Sequence, residues 1–315
     1  MRAVYTASSD MSRRAASLSI LTLAVLGSAS AGAAQTLVGS SVVLDGLFNA
    51  YAPSVLGSRM WIGGWLTQAD FPNDKLFRSD LGAGGTWSFP VPALERADAG
   101  INDASVVAPP AGGTNLYYTA IPKDCAPQPN CYLTANHTAL ATSANGGLTW
   151  SDHGDLIGPD NGLGECGAWA PSALAVDGAV WVYYHGGNPS FGRCRYPTGT
   201  VFRSRFDGTG AGQRIDTAVV AVPLPVVNVD VSRRPGDGLF VMVANSLDLT
   251  RIHRFTSPDG VTWTEGATLV DTGGAWVPTP HVTWTDATHW SLWFGMADSA
   301  SDTFIHRVVR WDWVE

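Results

Sequence analysis

From about residue 36 onward, short apolar runs of roughly four to eight residues recur, each broken by Gly, Asn, Asp or Pro, with no stretch of helical period among them. That pattern predicts strands joined by tight turns. Five segments share one order: a small or polar residue, an apolar stretch, a turn and an aromatic strand. They read Ala52-Pro-Ser-Val with Met60-Trp-Ile-Gly-Gly-Trp65, Asp103-Ala-Ser-Val-Val with Leu116-Tyr-Tyr-Thr-Ala120, Ala170-Pro-Ser-Ala-Leu with Trp181-Val-Tyr-Tyr-His185, Asp230-Val-Ser with Leu239-Phe-Val-Met-Val243, and Thr279-Pro-His-Val-Thr-Trp with Trp290-Ser-Leu-Trp-Phe294. The starts recur at intervals of roughly 50 to 70 residues, the spacing of a repeat architecture.

A third strand follows each pair: Phe77-Arg-Ser-Asp, Ala139-Leu-Ala-Thr-Ser143, Val201-Phe-Arg-Ser-Arg, Ile252-His-Arg-Phe-Thr-Ser257 and Phe304-Ile-His-Arg-Val-Val309. Three or four strands per unit match the radial sheets of a propeller, so the chain reads as all-β, a five-bladed β-propeller over residues 35–315. Such a ring must close, because open first and last sheets present edges that invite aggregation. The strand-like ends, Thr36-Leu-Val-Gly-Ser-Ser-Val-Val43 and Val308-Val-Arg-Trp-Asp-Trp-Val314, are expected to share one blade.

Composition adds a compartment. Arg13 and Arg14 precede the apolar run Ala15 to Gly27 and then small residues up to Ala34, which reads as a signal peptide over residues 1–34 with cleavage near Ala33 or Ala34. Export, to the cell exterior or the periplasm, is the expectation, with no membrane contact after cleavage. Four cysteines then fall in the exported part, where Cys125–Cys131 and Cys166–Cys194 are the expected disulfides among three connectivities, a zinc site being the alternative. The whole chain carries a formal net charge of −8, and its lysines are Lys75 and Lys123 alone. Without a basic stripe, nucleic acid is not an expected partner. A monomer without a cofactor or bound metal is the simplest expectation.

In a propeller the innermost strands line the axis, so equivalent repeat positions converge on one mouth. Ala52, Asp103, Ala170, Asp230 and Thr279 are aligned in this way, and two of the five are carboxylates. Paired carboxylates across a polar cavity suit glycoside hydrolysis by one base and one acid.

The stretch Trp169-Ala-Pro-Ser-Ala-Leu-Ala-Val-Asp-Gly-Ala-Val-Trp-Val-Tyr-Tyr184 resembles the Trp-Ala-Pro-Asp strand pair of the arabinanase and β-xylosidase propellers of glycoside hydrolase family 43. The resemblance implies Asp103 as general base and Asp230 as the group that tunes the acid. It puts Pro278 where the family has its catalytic Glu, and Ser172 where Asp would follow Trp-Ala-Pro. A similar blade occurs in the mannoside phosphorylases, again with Asp103 at the acidic position. Glu165-Cys166 resembles the Glu-Cys pair of invertase-like propellers, which makes Glu165 a reserve acid. Ser143-Ala-Asn-Gly-Gly-Leu-Thr-Trp150 and Ser257-Pro-Asp-Gly-Val-Thr-Trp263 resemble the Asp-box turns of sialidases, whose work is structural.

Trp61, Trp65 and Trp169 are candidate platforms for sugar rings, and His185 and His281 candidate ligand contacts. Each has a blander counterpart: tryptophans pack between blades, histidines satisfy buried backbone, and an Asp at a strand top accepts neighbouring N–H groups. Two functions follow. One is hydrolysis of glycosidic bonds in a polysaccharide or oligosaccharide; the other is a glycan-binding propeller that has lost its general acid.

Overall fold

The computed structural model describes residues 35–70, 73–123, 136–158, 166–187, 200–302 and 304–315. Its first strand, β1 (Thr36–Leu44), pairs with the last one, and four antiparallel meanders follow in chain order. Blade one holds β2 (Asn49–Leu56), β3 (Arg59–Trp65), β4 (Lys75–Asp80) and β5 (Val91–Leu94). Blade two holds β6 (Ala99–Val107), β7 (Thr114–Pro122), β8 (His137–Ser143) and β9 (Ser151–Ile157). Blade three holds β10 (Cys166–Val176), β11 (Ala179–Gly187), β12 (Val201–Phe206) and β13 (Arg214–Val220). Blade four holds β14 (Val226–Arg233), β15 (Phe240–Ser246), β16 (Arg251–Ser257) and β17 (Thr264–Asp271). Blade five runs β18 (His281–Trp284), β19 (His289–Met296), β20 (Arg307–Val314) and then β1.

The innermost strands β2, β6, β10, β14 and β18 touch in ring order around the axis. The chain is therefore a five-bladed propeller, closed as expected by pairing Thr36 with Val314 through Leu44 with Val308. One strand assignment differs from the sequence reading. Phe304 to His306 do not begin the third strand of blade five; they lean on blade one, where Ile305 N–H donates to Asn49 Oδ1 and Ala50 N–H to the Ile305 carbonyl. The strand starts only at Arg307 because those three residues bind the neighbouring blade instead.

Hydrophobic clusters fill the gaps between blades, each shared by two neighbours. Trp61, Leu76, Ile101 and Tyr118 join blades one and two; Tyr117, Leu140, Val182 and Phe206 join two and three; Tyr183, Met242, Phe255 and Trp263 join three and four. Val243, Ile252, Trp290 and Phe294 join four and five, and Leu44, Met60, Ile62 and Trp293 join five and one. Because each sheet buries its faces only against a neighbour, no blade is stable alone, and the ring supplies the core.

Turns carry the tryptophans into these gaps. In the turn after β8, Asn145 Oδ1 accepts the N–H groups of Leu148 and Thr149 at 3.1 and 3.0 Å, and Trp150 meets Trp61 edge-on at 5.9 Å. In the turn after β16, Asp259 Oδ1 accepts the N–H groups of Val261 and Thr262, both at 2.8 Å, and Trp263 meets Tyr183. Gly147 is required in the first of these, since at φ +85° a Cβ would lie 2.2 Å from the Trp61 ring.

Candidate functional site

Every blade bends the chain at one residue with positive φ, within the innermost strand in blades one to four and just before it in blade five: Ala52 (53°), Asp103 (49°), Ala170 (48°), Asn228 (49°) and Thr279 (49°). Positive φ is uncommon outside glycine and costs about 1–3 kcal/mol, so five at one repeat position mark a bend that the fold requires. The bend coincides with a break in pairing between Tyr51 and Ser54, Asn102 and Ser105, Trp169 and Ser172, and Val227 and Asp230. It also corrects the repeat register. Asn228, not Asp230, is the equivalent of Asp103, and Asp230 stands two residues further along the strand.

Residues at and just before the bend line a cavity of about 260 Å³ at one mouth of the axis. Blades one and two supply Asn49, Tyr51, Asn102, Asp103 and Thr119; Trp169 and Asn228 follow around the ring; Leu249, Trp276, Pro278 and Ile305 add an apolar side. Among the described lining residues Asp103 is the carboxylate. Its Oδ2 accepts the Thr119 hydroxyl at 2.9 Å, while Thr119 Oγ1 accepts Ala170 N–H at 2.8 Å, so the hydroxyl proton is aimed at Asp103. Burial, helped by the negative charge of nearby Asp74, pushes the Asp103 carboxyl up to about 7.

Asp74 escapes any reading of the repeats, because it lies in the segment before β4 and not on an innermost strand. Its Oδ2 accepts the Tyr51 hydroxyl and Asn102 Nδ2, each at 2.8 Å, and Asn102 Nδ2 also donates to the Tyr51 oxygen at 2.9 Å. Burial raises the Asp74 carboxyl, and the two donated hydrogen bonds pull it back. A signal was available in Tyr51, an aromatic hydroxyl placed directly before the bend of blade one.

Beyond the bend the side chains form a second, deeper ring of Ser54, Ser105, Ser172, Asp230 and His281. Ser54 accepts Val106 N–H, Ser105 accepts Ala173 N–H, Ser172 accepts Val231 N–H and Asp230 accepts Val282 N–H, at 2.8–2.9 Å. Each ring member thus ties its own blade to the next. His281 closes the ring on blade one by donating from Nε2 to the Val55 carbonyl at 3.3 Å, and its Nδ1 lies 3.2 Å from Asp230 Oδ2. Both Asp230 oxygens are engaged, since Oδ1 accepts the Ser172 hydroxyl. Asp103, Asp230 and His281 share only a water-sized space of about 20 Å³ between the two rings.

The remaining candidates separate in the same way. Trp169 lines the mouth cavity and stacks on His185 at 6.4 Å. His185 itself is buried, and its Nε2 accepts Val229 N–H at 3.3 Å, a bond between blades three and four. Burial pulls its imidazole down to about 4, which keeps that nitrogen free to accept. Trp61 is sealed between blades one and two, and Trp65 packs near Phe48 and Phe304. Glu165, Cys125, Cys131 and Cys194 lie outside the described residues, as does the side chain of Cys166. Asp298, Asp302 and His306 bring their ligand atoms within 4.8 Å of one another, but Arg307 already pairs with Asp298, and His306 Nε2 lies 3.0 Å from Asp302.

No protein-family model and no curated protein matches the sequence. Solved structures do. A GH43_1 enzyme from Xanthomonas citri complexed with xylose superposes with a TM-score of 0.59 at 16% identity, over 87% of this chain and 88% of that one. An α-L-arabinofuranosidase from Lactobacillus brevis gives 0.62 at 9% identity, over 84% and 91%. A family 117 glycoside hydrolase from the marine bacterium Zobellia galactanivorans gives 0.58 at 13% identity, over 88% and 90%. At these identities the likeness is one of fold: the chain has the five-bladed propeller of the family 43 and family 117 glycoside hydrolases.

Proposed function

We propose that the protein is an exported carbohydrate-binding propeller that seats one sugar unit in the mouth cavity, with Asp103 contacting its hydroxyl groups. The observation that carries this reading is the composition of that cavity. Amide, hydroxyl and carboxyl groups of Asn49, Tyr51, Asn102, Asp103 and Asn228 stand beside the rings of Trp169 and Trp276. A sugar has the matching duality of hydroxyl edges and apolar C–H faces, and a cavity just below the roughly 300–1,000 Å³ of drug-sized pockets suits a single ring. The xylose complex of a structural neighbour supports the ligand class.

A second reading, hydrolysis of the glycosidic bond, is favoured by one further observation. A half-buried carboxyl raised to about 7 is able both to give and to take a proton at neutral pH. Asn228 stands at the repeat position of Asp103, and Pro278 where the family 43 resemblance would put a catalytic Glu, so neither adds a second carboxylate to the cavity.

The test is calorimetric titration of the purified mature chain with xylose, arabinose, galactose, mannose and their short oligosaccharides, alongside release of reducing ends from arabinan, xylan, galactan, mannan and fructan. Saturable binding that Trp169→Ala weakens by more than tenfold is expected. Absence of binding to every sugar in the panel would remove the reading.

A further inference from the structure

Hydrolysis in this cavity needs two acid–base groups, and the repeat positions supply one. The second comes from outside the repeats. Tyr51 lines the cavity beside Asp103, and behind it the half-buried Asp74 accepts the Tyr51 proton at 2.8 Å. Asn102, also a lining residue and 7% exposed, fixes this pair by donating from Nδ2 to both. Two lining residues, Tyr51 and Asn102, and one carboxylate behind them therefore form a connected hydrogen-bond network that opens on the cavity and ends on Asp74 Oδ2.

We propose that Asp74, acting through the Tyr51 hydroxyl, is the general base of a hydrolytic site in which Asp103 is the general acid. This rests on the hydrolytic reading above. Water attacks the anomeric carbon, and the bond from that carbon to the glycosidic oxygen breaks with its electron pair going to the oxygen, which takes the Asp103 proton. As it attacks, the water passes a proton to the Tyr51 oxygen while the Tyr51 proton moves to Asp74 Oδ2. The turnover leaves Asp103 ionised and Asp74 protonated, and exchange with solvent restores both. Tyr51 ends as it began.

The environments sort the roles. Asp103 is half-buried and faces the charge of Asp74, and its removal from water together with that charge outweighs the one hydrogen bond donated by Thr119 and raises the carboxyl to about 7. Asp74 is raised by burial as well, but it receives two donated hydrogen bonds against one for Asp103, and these offset part of that rise and favour its ionised form. The other charged groups nearby are turned elsewhere: Lys75 pairs with Asp70 and Glu95, and Asp230 with His281 closes the deeper ring.

The experiment uses 4-nitrophenyl glycosides of xylose, arabinofuranose, galactose, mannose and glucose with the mature chain and with Tyr51→Phe, Asp74→Asn and Asp103→Asn, together with calorimetric sugar binding and thermal melting of each variant. The proposal expects release of 4-nitrophenol by the wild type, a loss of at least 100-fold in Tyr51→Phe and Asp74→Asn with sugar binding kept, and loss of the acidic limb of the pH profile in Asp74→Asn. Asp103→Asn should lose the alkaline limb instead, and should be spared on this leaving group, which needs little protonation. Retention of activity within threefold in Tyr51→Phe or Asp74→Asn overturns the proposal. Sugar binding without release by the wild type overturns it too and leaves the binding reading standing, whereas neither binding nor release removes both.

Discussion

Asp230 and His281 stand 3.2 Å apart on the propeller axis, and each also holds a backbone group of the next blade, Val282 N–H and the Val55 carbonyl. His281 donates from Nε2 and presents Nδ1 to a carboxylate, so both ring nitrogens carry protons. Although burial pulls the imidazolium down, the Asp230 charge and the hydrogen bonds to Asp230 and the Val55 carbonyl together outweigh it and hold His281 above its ordinary value. Breaking a buried ion pair from one side strands the other charge, at a cost of about 3–5 kcal/mol. Asp230→Ala should therefore lose stability of that order in urea unfolding, and the contribution of the pair in the wild type should be full below the ordinary histidine value of 6.5 and fade as pH rises through the raised value. A cost below about 1 kcal/mol would show that the ring does not hold the blades.

Asp103 gives the opposite sign to the usual carboxylate. Its folded value is about 7 against an ordinary 3.8, so between those values the folded state binds more protons than the unfolded one. Stability should fall as pH rises across that window, at up to about 1.4 kcal/mol per unit. Asp103→Asn removes the titration, and its melting temperature should exceed that of the wild type at pH 8 and match it near pH 4. Parallel pH curves for the two proteins would contradict this.

His185 accepts Val229 N–H and is held near 4 by burial, below its ordinary 6.5. Its contribution is full above 6.5 and is lost as pH falls through about 4, when protonation removes the acceptor. His185→Ala should cost about 1–3 kcal/mol at pH 7, because Val229 N–H is left buried without a partner. Chemical denaturation at pH 7 and pH 4 measures both effects.

Deleting residues 35–44 removes β1, which pairs along β20 and carries Leu44 into the cluster joining blades five and one. The loss should exceed that of one outer strand, since the ring opens and β20 becomes an unprotected edge. A lower melting temperature together with concentration-dependent association in light scattering is the expected outcome. An unchanged monomeric melt would show that the closure is dispensable.

The five repeats, the closing pair of terminal strands and the position of Asp103 were legible because each is local: a turn, an apolar alternation and an aromatic strand repeat in one order. Asp230 misled for a related reason. Its Asp-Val-Ser resembles Asp103-Ala-Ser closely enough to shift the register by two, and only the bend at Asn228, seen in its φ and in the broken pairing, decides the alignment. Glu165 and the cysteine pairs stay expectations of the sequence, lying outside the described residues.

The sequence by itself thus determined an all-β ring of five units and one axial carboxyl, because period and turn chemistry are properties of neighbouring residues. Tertiary structure alone decided which polar side chains meet. Asp74 reaches Tyr51 from 23 residues away, and Ile305 reaches Asn49 from 256. Such contacts arise where blades press together around the axis, and burial there, not the residue type, sets Asp103 near 7 and His185 near 4, while the neighbouring Asp230 holds His281 up against it.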